Sequence, residues 1–269
     1  MVRLPAVSGR FYPSDAEQLV HQVASFCSGP ADAPRHRAIA CMVPHAGYYF
    51  SGQVAGAVYA RLELPQRFLL LGPRHFPRGK PQAILSQGMW QTPLGRAEID
   101  GELAAELKLA CPSLADDDVA HRDEHALEVQ VPFLQCLASE FQFVPIVLGT
   151  VNYGELEALG RAIATVLARQ TDPVLIVASS DMNHYETDEI TRKKDHQALA
   201  GVLALDPRHL YDTVRRESIT MCGFGAAVCM LTAARLLGAT RATLVDYATS
   251  GDVNGEWDQV VGYAGIIVD

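Results

Sequence analysis

The sequence has few basic residues and no long apolar run. Its 22 Lys and Arg residues are outnumbered by 31 Asp and Glu residues, so the net charge is −9 and the isoelectric point is near 5.4. Nucleic acids and anionic membranes reward clustered Lys and Arg, yet the only basic run is Arg192-Lys193-Lys194. No apolar stretch reaches the length of a membrane span, and residues 1–5 lack the apolar core of a signal peptide. We therefore predict no nucleic-acid or membrane partner and a cytoplasmic location.

The cysteines lack the paired spacing of a disulfide framework or a zinc ribbon. Six of them are scattered along the chain, several inside apolar periodic stretches, as expected for buried thiols in a reducing compartment. Cys222 differs, because it lies where a helix is predicted to begin, and free N–H groups and the helix dipole favour a thiolate there. The alternative is that Cys222 is an inert buried cysteine.

A linker is also missing, since Pro and Gly are spread along the chain and the soft segment 28–37 joins only an N-terminal helix to the first strand. We predict one domain spanning residues 1–269. Apolar strands alternate with helices, which is typical of an α/β fold with a doubly wound, largely parallel or mixed sheet flanked by helices. The predicted helices include Gln53 to Arg61, capped by Ser51, and others over 101–110, 153–168, 187–205, 207–216 and 221–237.

Three apolar strands are each followed by a histidine. The predicted strand 38–43 is followed by His45, the strand 68–71 by His75, and the strand 174–178 by His184. The carboxyl ends of parallel strands share one edge of an open α/β sheet, so we expect the three imidazoles to converge there. A single loop histidine is usually a solvated or hydrogen-bonding side chain, but the shared placement of three indicates one functional site.

Two neutral imidazoles and one anionic group are a familiar ligand set for a transition metal, because the anion offsets the metal charge and other positions stay open. Cys222 is one candidate for the anion. Asp181 and Glu124 are competing carboxylate candidates, and either can instead orient an imidazole as a hydrogen-bond partner. The sequence does not rank these three.

The segment 121–133 is predicted to be helical, with His121, His125 and Glu128 near one face. His125 and Glu128 are then candidates for the pocket wall, with a surface ion pair as the alternative. His121 to His125 also fits the H-x-x-E-H pattern of zinc peptidases, in which two histidines hold the metal. This match is weak, since so short a pattern arises by chance and Pro132 follows closely.

The ordered motifs of the chain resemble the Memo-like proteins, called AmmeMemoRadiSam system protein B in bacteria and archaea. The resemblance runs nearly end to end. Its motifs are GRFYP at 9–13, PHAGY at 44–48, LGPRH at 71–75, DEHALE at 123–128, SSDMNHY at 179–185, CG at 222–223 and YATS at 247–250.

The resemblance implies a fold similar to class III extradiol dioxygenases of the LigB type, which hold non-haem iron(II) with two histidines and a glutamate and use a third histidine as acid/base. Here a cysteine stands in place of that glutamate, and a thiolate is oxidisable and also suits copper or zinc. The predicted cofactor is therefore Fe2+, with Cu or Zn as alternatives. The predicted metal ligands are His45, His75 and Cys222, and the predicted catalytic residues are His184, Asp181 and His125.

The resemblance further implies a metal-dependent, dioxygenase-like oxidoreductase that acts on a small-molecule or peptide substrate, with radical-SAM and AMMECR-type proteins as partners. The alternative is a non-catalytic peptide- or protein-binding module on the same fold, because eukaryotic relatives are linked to receptor signalling and phosphopeptide binding. The chain offers no Arg cluster of the kind that phosphate recognition needs, which favours redox chemistry.

Overall fold

The computed structural model describes residues 1–28, 35–138 and 140–269, so most of the soft segment 28–37 lies outside the described residues. Within these residues the predicted α/β fold is confirmed, with a mixed sheet flanked by helices. The strands are β1 (Val2–Arg3), β2 (Ala40–Val43), β3 (Arg67–Pro73), β4 (Gln82–Ile84), β5 (Met89–Thr92), β6 (Gly95–Ile99), β7 (Ala115–Asp116), β8 (Gln142–Leu148), β9 (Val174–Ser179), β10 (His184–Glu186), β11 (Ala242–Thr249) and β12 (Val260–Val268). The helices are α1 (Ala16–Phe26), α2 (Tyr48–Tyr59), α3 (Gly101–Ala110), α4 (Asp118–Arg122), α5 (Val131–Leu137), α6 (Tyr153–Leu167), α7 (Asp188–Leu203), α8 (Pro207–Arg216), α9 (Phe224–Leu236) and α10 (Ser250–Asn254).

The centre of the sheet is parallel and its flanks are mixed. The order β8-β3-β9-β2 is parallel throughout, with Leu71 beside Ala178 and Val43 beside Ser179. Strand β12 then adds antiparallel to β2, and β11 adds antiparallel to β12. The carboxyl ends of β2, β3 and β9 therefore meet at one edge of the sheet, as the three histidine motifs required.

Both faces of the central strands are buried. Leu69 and Leu71 of β3 pack into a core with α3, α6 and α9, whereas the alternating Phe68 and Leu70 pack into a second core with α1, α2 and α5. Side chains of a strand point to opposite faces, so a strand covered on both sides must be apolar at every position. Burial of each large apolar side chain in these two cores stabilises the fold by roughly 1.5–3 kcal/mol. The cores therefore fix the position of the sheet edge at which the histidines lie.

Two predicted helix starts are wrong. Helix α2 begins at Tyr48, so Ser51 lies inside it and its hydroxyl donates to the Ala46 carbonyl rather than capping. Helix α9 begins at Phe224, because the N–H of Gly223 is bound by the Ser180 hydroxyl at 3.0 Å. Cys222 consequently precedes the helix instead of opening it.

The predicted helix over 121–133 is also wrong. Helix α4 ends at Arg122, a 3-10 turn spans Glu128–Gln130, and α5 begins only at Val131. The Glu124 carboxylate accepts the N–H of Ala126, which stabilises a turn between the two helices. His121, His125 and Glu128 therefore do not share a helix face. None of the helices in the described ranges is long and apolar enough to cross a membrane.

Candidate metal centre

His45 is held at the end of β2 by a network that fixes which ring nitrogen carries the proton. Its Nδ1 lies 3.0 Å from Oγ of Ser179, which donates its one proton to the Ala126 carbonyl at 2.6 Å and accepts from Nε2 of Gln130 at 3.0 Å. Since that hydroxyl has no second proton, Nδ1 of His45 must be the donor. The lone pair is then on Nε2.

His45 is buried, with 1% of its surface exposed. Burial lowers the pKa of His45 to about 3, and the neighbouring His75 adds to the shift. The imidazole is therefore neutral at physiological pH, which is the form that binds a metal.

His75, at the end of β3, is held by Glu124. Oε1 of Glu124 lies 2.8 Å from the His75 Nδ1, and Oε2 accepts the backbone N–H of His75 at 2.6 Å. Burial alone would raise the pKa of Glu124, but the hydrogen bonds and charge of His75 outweigh it and lower that pKa to about 2. Burial opposes protonation of His75 in turn, yet Glu124 outweighs it and raises the pKa of His75. Both carboxylate oxygens accept hydrogen bonds from His75, so Glu124 orients the imidazole. His75, Glu124 and His125 also form a group whose donor atoms lie within 4.8 Å of one another, so Glu124 stays a candidate ligand.

Cys222 lies between these histidines and the end of β9. Its Sγ is 3.1 Å from Nε2 of His45 and 3.7 Å from the carbonyl oxygen of Asp181. Burial raises the pKa of the Cys222 thiol well above its ordinary value, and the nearby Asp181 adds to the shift. The expectation of a dipole-stabilised thiolate is therefore wrong for the protein alone, because α9 begins two residues later. A bound cation reverses this balance, since a coordinating thiol is deprotonated outright.

The three predicted ligands form one group. One donor atom from each of His45, His75 and Cys222 lies within 4.8 Å of the others. Donors around a tetrahedral metal are roughly 3–4 Å apart, given metal–nitrogen and metal–sulfur bonds of roughly 2.0–2.3 Å. The donor set of two imidazoles with fixed Nδ1 contacts and one thiol fits a soft or borderline transition metal with small adjustments.

His184 stands beside this group. Its Nδ1 lies 3.0 Å from the Thr220 carbonyl, which can only accept, so Nδ1 is the donor and Nε2 carries the lone pair. The Thr220 hydroxyl also accepts the His184 backbone N–H at 2.7 Å. Another group that could hold a metal, with donor atoms within 4.8 Å of one another, comprises His184, Asp181 and Cys222. His184 therefore lies next to the predicted metal ligand Cys222.

The carboxylate candidate Asp181 and the remaining predicted catalytic residue His125 also border the site. Asp181 accepts the backbone N–H of His45 at 2.7 Å, and it is the Thr220 carbonyl rather than Asp181 that holds Nδ1 of His184. Burial raises the pKa of Asp181. The ring of His125 stacks on that of His75 with centroids 4.5 Å apart, and burial, followed by the charge of His45, lowers the pKa of His125 to about 4.

Two residues assigned to the pocket wall or to zinc lie elsewhere. Glu128 is buried, paired with Arg3 at 2.7 Å and hydrogen-bonded by the Tyr12 hydroxyl at 2.7 Å, so it anchors the N-terminal segment. His121 is fully buried beside Trp90, with Nε2 3.2 Å from the Ala83 carbonyl. Neither belongs to a group that could hold a metal in the described part of the chain.

Sequence reasoning missed the residues that hold the imidazoles. Ser179 and Gln130 fix His45, and Thr220 fixes His184. Ser179 carried a signal, since it directly follows an apolar strand in a histidine motif. Gln130 and Thr220 carried none, because their contacts depend on how distant segments fold together.

Comparisons with known proteins agree with the motifs. The family model described as Memo-like protein matches residues 3–267. The chain is 44% identical over 268 residues to a MEMO1 family protein of Aquifex aeolicus, covering 99% of this chain and 98% of that relative. It is 39% identical over 280 residues to a MEMO1 family protein of Methanopyrus kandleri, covering 99% of each.

A solved structure supports the fold alone. The crystal structure of an uncharacterized protein from Escherichia coli K12 matches with a TM-score of 0.54 and 12% identity, covering 84% of this chain and 99% of that one. The matching family model and the relatives of similar length decide the family. This chain belongs to the Memo-like protein family.

Proposed function

We propose that this protein is a metal-dependent redox enzyme that binds one transition metal ion, Fe2+ in the first place, through His45, His75 and Cys222. One observation carries the proposal: the donor atoms of these residues lie within 4.8 Å of one another at the edge where β2 and β3 end. Hydrogen bonds from Nδ1 to Ser179 and Glu124 support it, because they keep Nδ1 of each imidazole from competing for the metal and leave Nε2.

The ligand set narrows the metal. Two imidazoles and a thiolate suit iron, copper and zinc and do not suit magnesium or calcium, which prefer oxygen ligands. Bound iron supplies one-electron and oxygen chemistry, and three protein ligands leave room for a substrate. Copper and zinc are the alternatives that metal analysis separates.

The surrounding residues suit proton transfer. His184 presents a ring whose Nδ1–H is held by a backbone carbonyl, so its Nε2 is free to accept a proton from a substrate and return it. Buried Asp181 and half-buried His125 line the same region and would bind or orient the substrate. In this proposal the substrate is a small molecule or a peptide end with an acidic hydroxyl, such as a catechol or an enol.

The family resemblance supports one further part of the proposal, which concerns partner proteins. Radical-SAM and AMMECR-type proteins would act with this protein, which co-elution of the purified components tests. The binding-module alternative predicts peptide binding that needs no metal. The zinc hydrolase hypothesis has no support in the site, because His121 faces Ala83 and Trp90 instead of His125.

Metal analysis of protein purified without oxygen or chelator tests the proposal. We expect near-stoichiometric iron in the wild type, and loss of most metal in His45→Ala, His75→Ala and Cys222→Ser. His209→Ala is the matched control, because His209 is exposed on α8. His121→Ala should also keep its metal. Full retention in His45→Ala and His75→Ala overturns the proposal, and loss in His121→Ala with retention in His75→Ala favours the zinc hydrolase.

A further inference from the structure

A small cavity adjoins the candidate metal site on the side of Cys222. Its volume is about 120 Å³, and it lies between the ends of β3 and β8 and the start of α9. Cys222, Arg74, Gly149, Gly225 and Ala226 are among its lining residues. At about 30 Å³ for each water-sized group, this volume suits a group of about four heavy atoms next to the candidate ligand Cys222.

Arg74 is the only cation among the cavity's lining residues, and its guanidinium is fixed in place. Nη1 donates to the carbonyl oxygens of Gly79 and Lys80 at 2.6 and 3.1 Å, with a longer contact of 3.3 Å to that of Arg78. A Cβ at Gly149 would lie nearly equidistant from Nε, Cζ and Nη2, at 2.5–2.6 Å, so the face of the guanidinium rests on this glycine. The Arg74 side chain is therefore fixed by the hydrogen bonds of Nη1 and by the packing of one guanidinium face on Gly149.

The remaining edge of the guanidinium is free. Among the described residues, neither Nε nor Nη2 of Arg74 has a hydrogen-bond acceptor, and no carboxylate pairs with this residue. Arg or Lys side chains form thirteen ion pairs in the same part of the chain, those of Arg3, Arg67 and Arg192 among them, and Arg74 is one of the basic side chains that form none. The Nε–Nη2 edge is the one that matches the two oxygens of a carboxylate.

Residues at the start of α9 also line the cavity. Helix α9 has 13 residues, and the N–H groups of Gly225 and Ala226 in its first turn have no acceptor among the described residues. Such groups satisfy an anion when one is present. Arg74 and these two residues line the same cavity.

We infer that this cavity is a substrate subsite, in which Arg74 binds a carboxylate carried by the molecule that reacts at the metal site. The inference deepens the proposed function by naming a carboxylic acid as the substrate class. Only the link between the bound carboxylate and a reaction at the metal site rests on the proposed function. Arg74 and the first turn of α9 would bind an anion with or without metal. A free planar oxyanion such as bicarbonate shares this chemistry and is separated by the test.

The test uses chelator-treated, metal-free protein and follows the Arg74 Nε–H and the Gly225 and Ala226 amide resonances by NMR during titration with acetate, bicarbonate or chloride. We expect acetate to give saturable shifts at all three groups, and chloride to give none at equal ionic strength. Arg74→Lys keeps the charge but loses the bidentate edge, so acetate should bind at least about tenfold more weakly. Arg78→Lys is the control and should bind acetate as the wild type does.

A second variant covers the case in which Arg74→Lys disturbs the loop that it anchors. Val151 is half exposed at the cavity wall, so Val151→Phe narrows the cavity while leaving Arg74 in place. It should weaken acetate binding while preserving the Arg74 Nε–H resonance. Saturable binding of bicarbonate but not acetate assigns the cavity to a free anion and overturns the inference. Absence of saturable shifts, or shifts that Arg74→Lys and Val151→Phe leave unchanged, overturns it as well, whatever the metal analysis shows.

Discussion

Glu124 binds His75 at two places, through the ring nitrogen Nδ1 at 2.8 Å and through the backbone N–H at 2.6 Å. One buried carboxylate therefore fixes both the strand end and the imidazole that it carries. A third hydrogen bond, from the Ala126 N–H at 2.9 Å, ties the same carboxylate to the turn after α4. This turn also carries His125, so Glu124 couples the position of two imidazoles.

Replacing Glu124 with Gln should weaken metal binding by roughly 10- to 100-fold. The amide keeps the shape but loses the charge that makes the His75 ring a better ligand, and one of its two terminal atoms no longer accepts. The measurement is competition with a chelator of known affinity at fixed pH. Glu157→Gln is the control, because Glu157 pairs with Arg161 on the exposed side of α6. Equal affinity of Glu124→Gln and the wild type would show that Glu124 does not support the metal.

The buried carboxyl group of Asp195 should make the free energy of unfolding depend on pH. It is fully buried on α7, where it accepts the backbone N–H of Asn183 and the Tyr247 hydroxyl, each at 2.8 Å. Burial raises the pKa of Asp195 to about 7, against the opposing effect of these hydrogen bonds. An unfolded Asp titrates near 3.9, so the unfolded chain releases this proton first as the pH rises. The stabilisation that belongs to the protonated form is therefore present below about pH 4 and lost by about pH 7.

Comparison with Asp195→Asn isolates this effect, because Asn stays neutral at every pH. Its Oδ1 can still accept the Asn183 N–H, and its NH2 can donate to the Tyr247 hydroxyl oxygen with the direction of that bond reversed. The free energy of unfolding of the variant, minus that of the wild type, should increase by a few kcal/mol between about pH 4 and 7 and level off above. Urea unfolding at a series of pH values measures it, with Asp212→Asn, on the exposed face of α8, as control. A difference that does not change with pH would mean that Asp195 is ionised throughout.

Much of the fold follows from the sequence because strands buried on both faces must be apolar at every position. The runs at 68–71 and 174–178 therefore marked the central strands, and the histidines that follow them marked the functional edge. The helix over 121–133 failed for a physical reason: its apolar and polar spacing fits a helix, but Glu124 bonds to His75 and Ala126 and ends the helical path. No local pattern reveals that distant bond.

The candidate site also combines features that the local sequence predicts with features that depend on distant contacts. The approach of His45 and His75 to each other was predictable from motif and topology, whereas Cys222 was assigned to the group by a predicted helix start and by the family resemblance. The protonation of Cys222 was not, because the helix dipole is a local argument whereas burial and the charge of Asp181 depend on the folded chain. Partners such as Thr220 and Gln130 likewise became visible only when separate segments were brought together.

His184 gives the prediction that separates chemistry from metal binding. The Thr220 carbonyl holds its Nδ1–H at 3.0 Å, so the lone pair of Nε2 can take a proton from a substrate hydroxyl beside the metal ligands and later return it. Positioned acid/base groups of this kind contribute roughly 10²- to 10⁴-fold to a rate. His184→Ala should keep its metal while oxygen uptake with a panel of catechol-like and enol compounds falls by about that factor, and His209→Ala should match the wild type.

If the wild type takes up no oxygen with any of these compounds, the result favours the binding-module alternative. If His184→Ala consumes oxygen as fast as the wild type, His184 is not the acid/base residue, and the metal ligands remain to be judged by metal analysis alone.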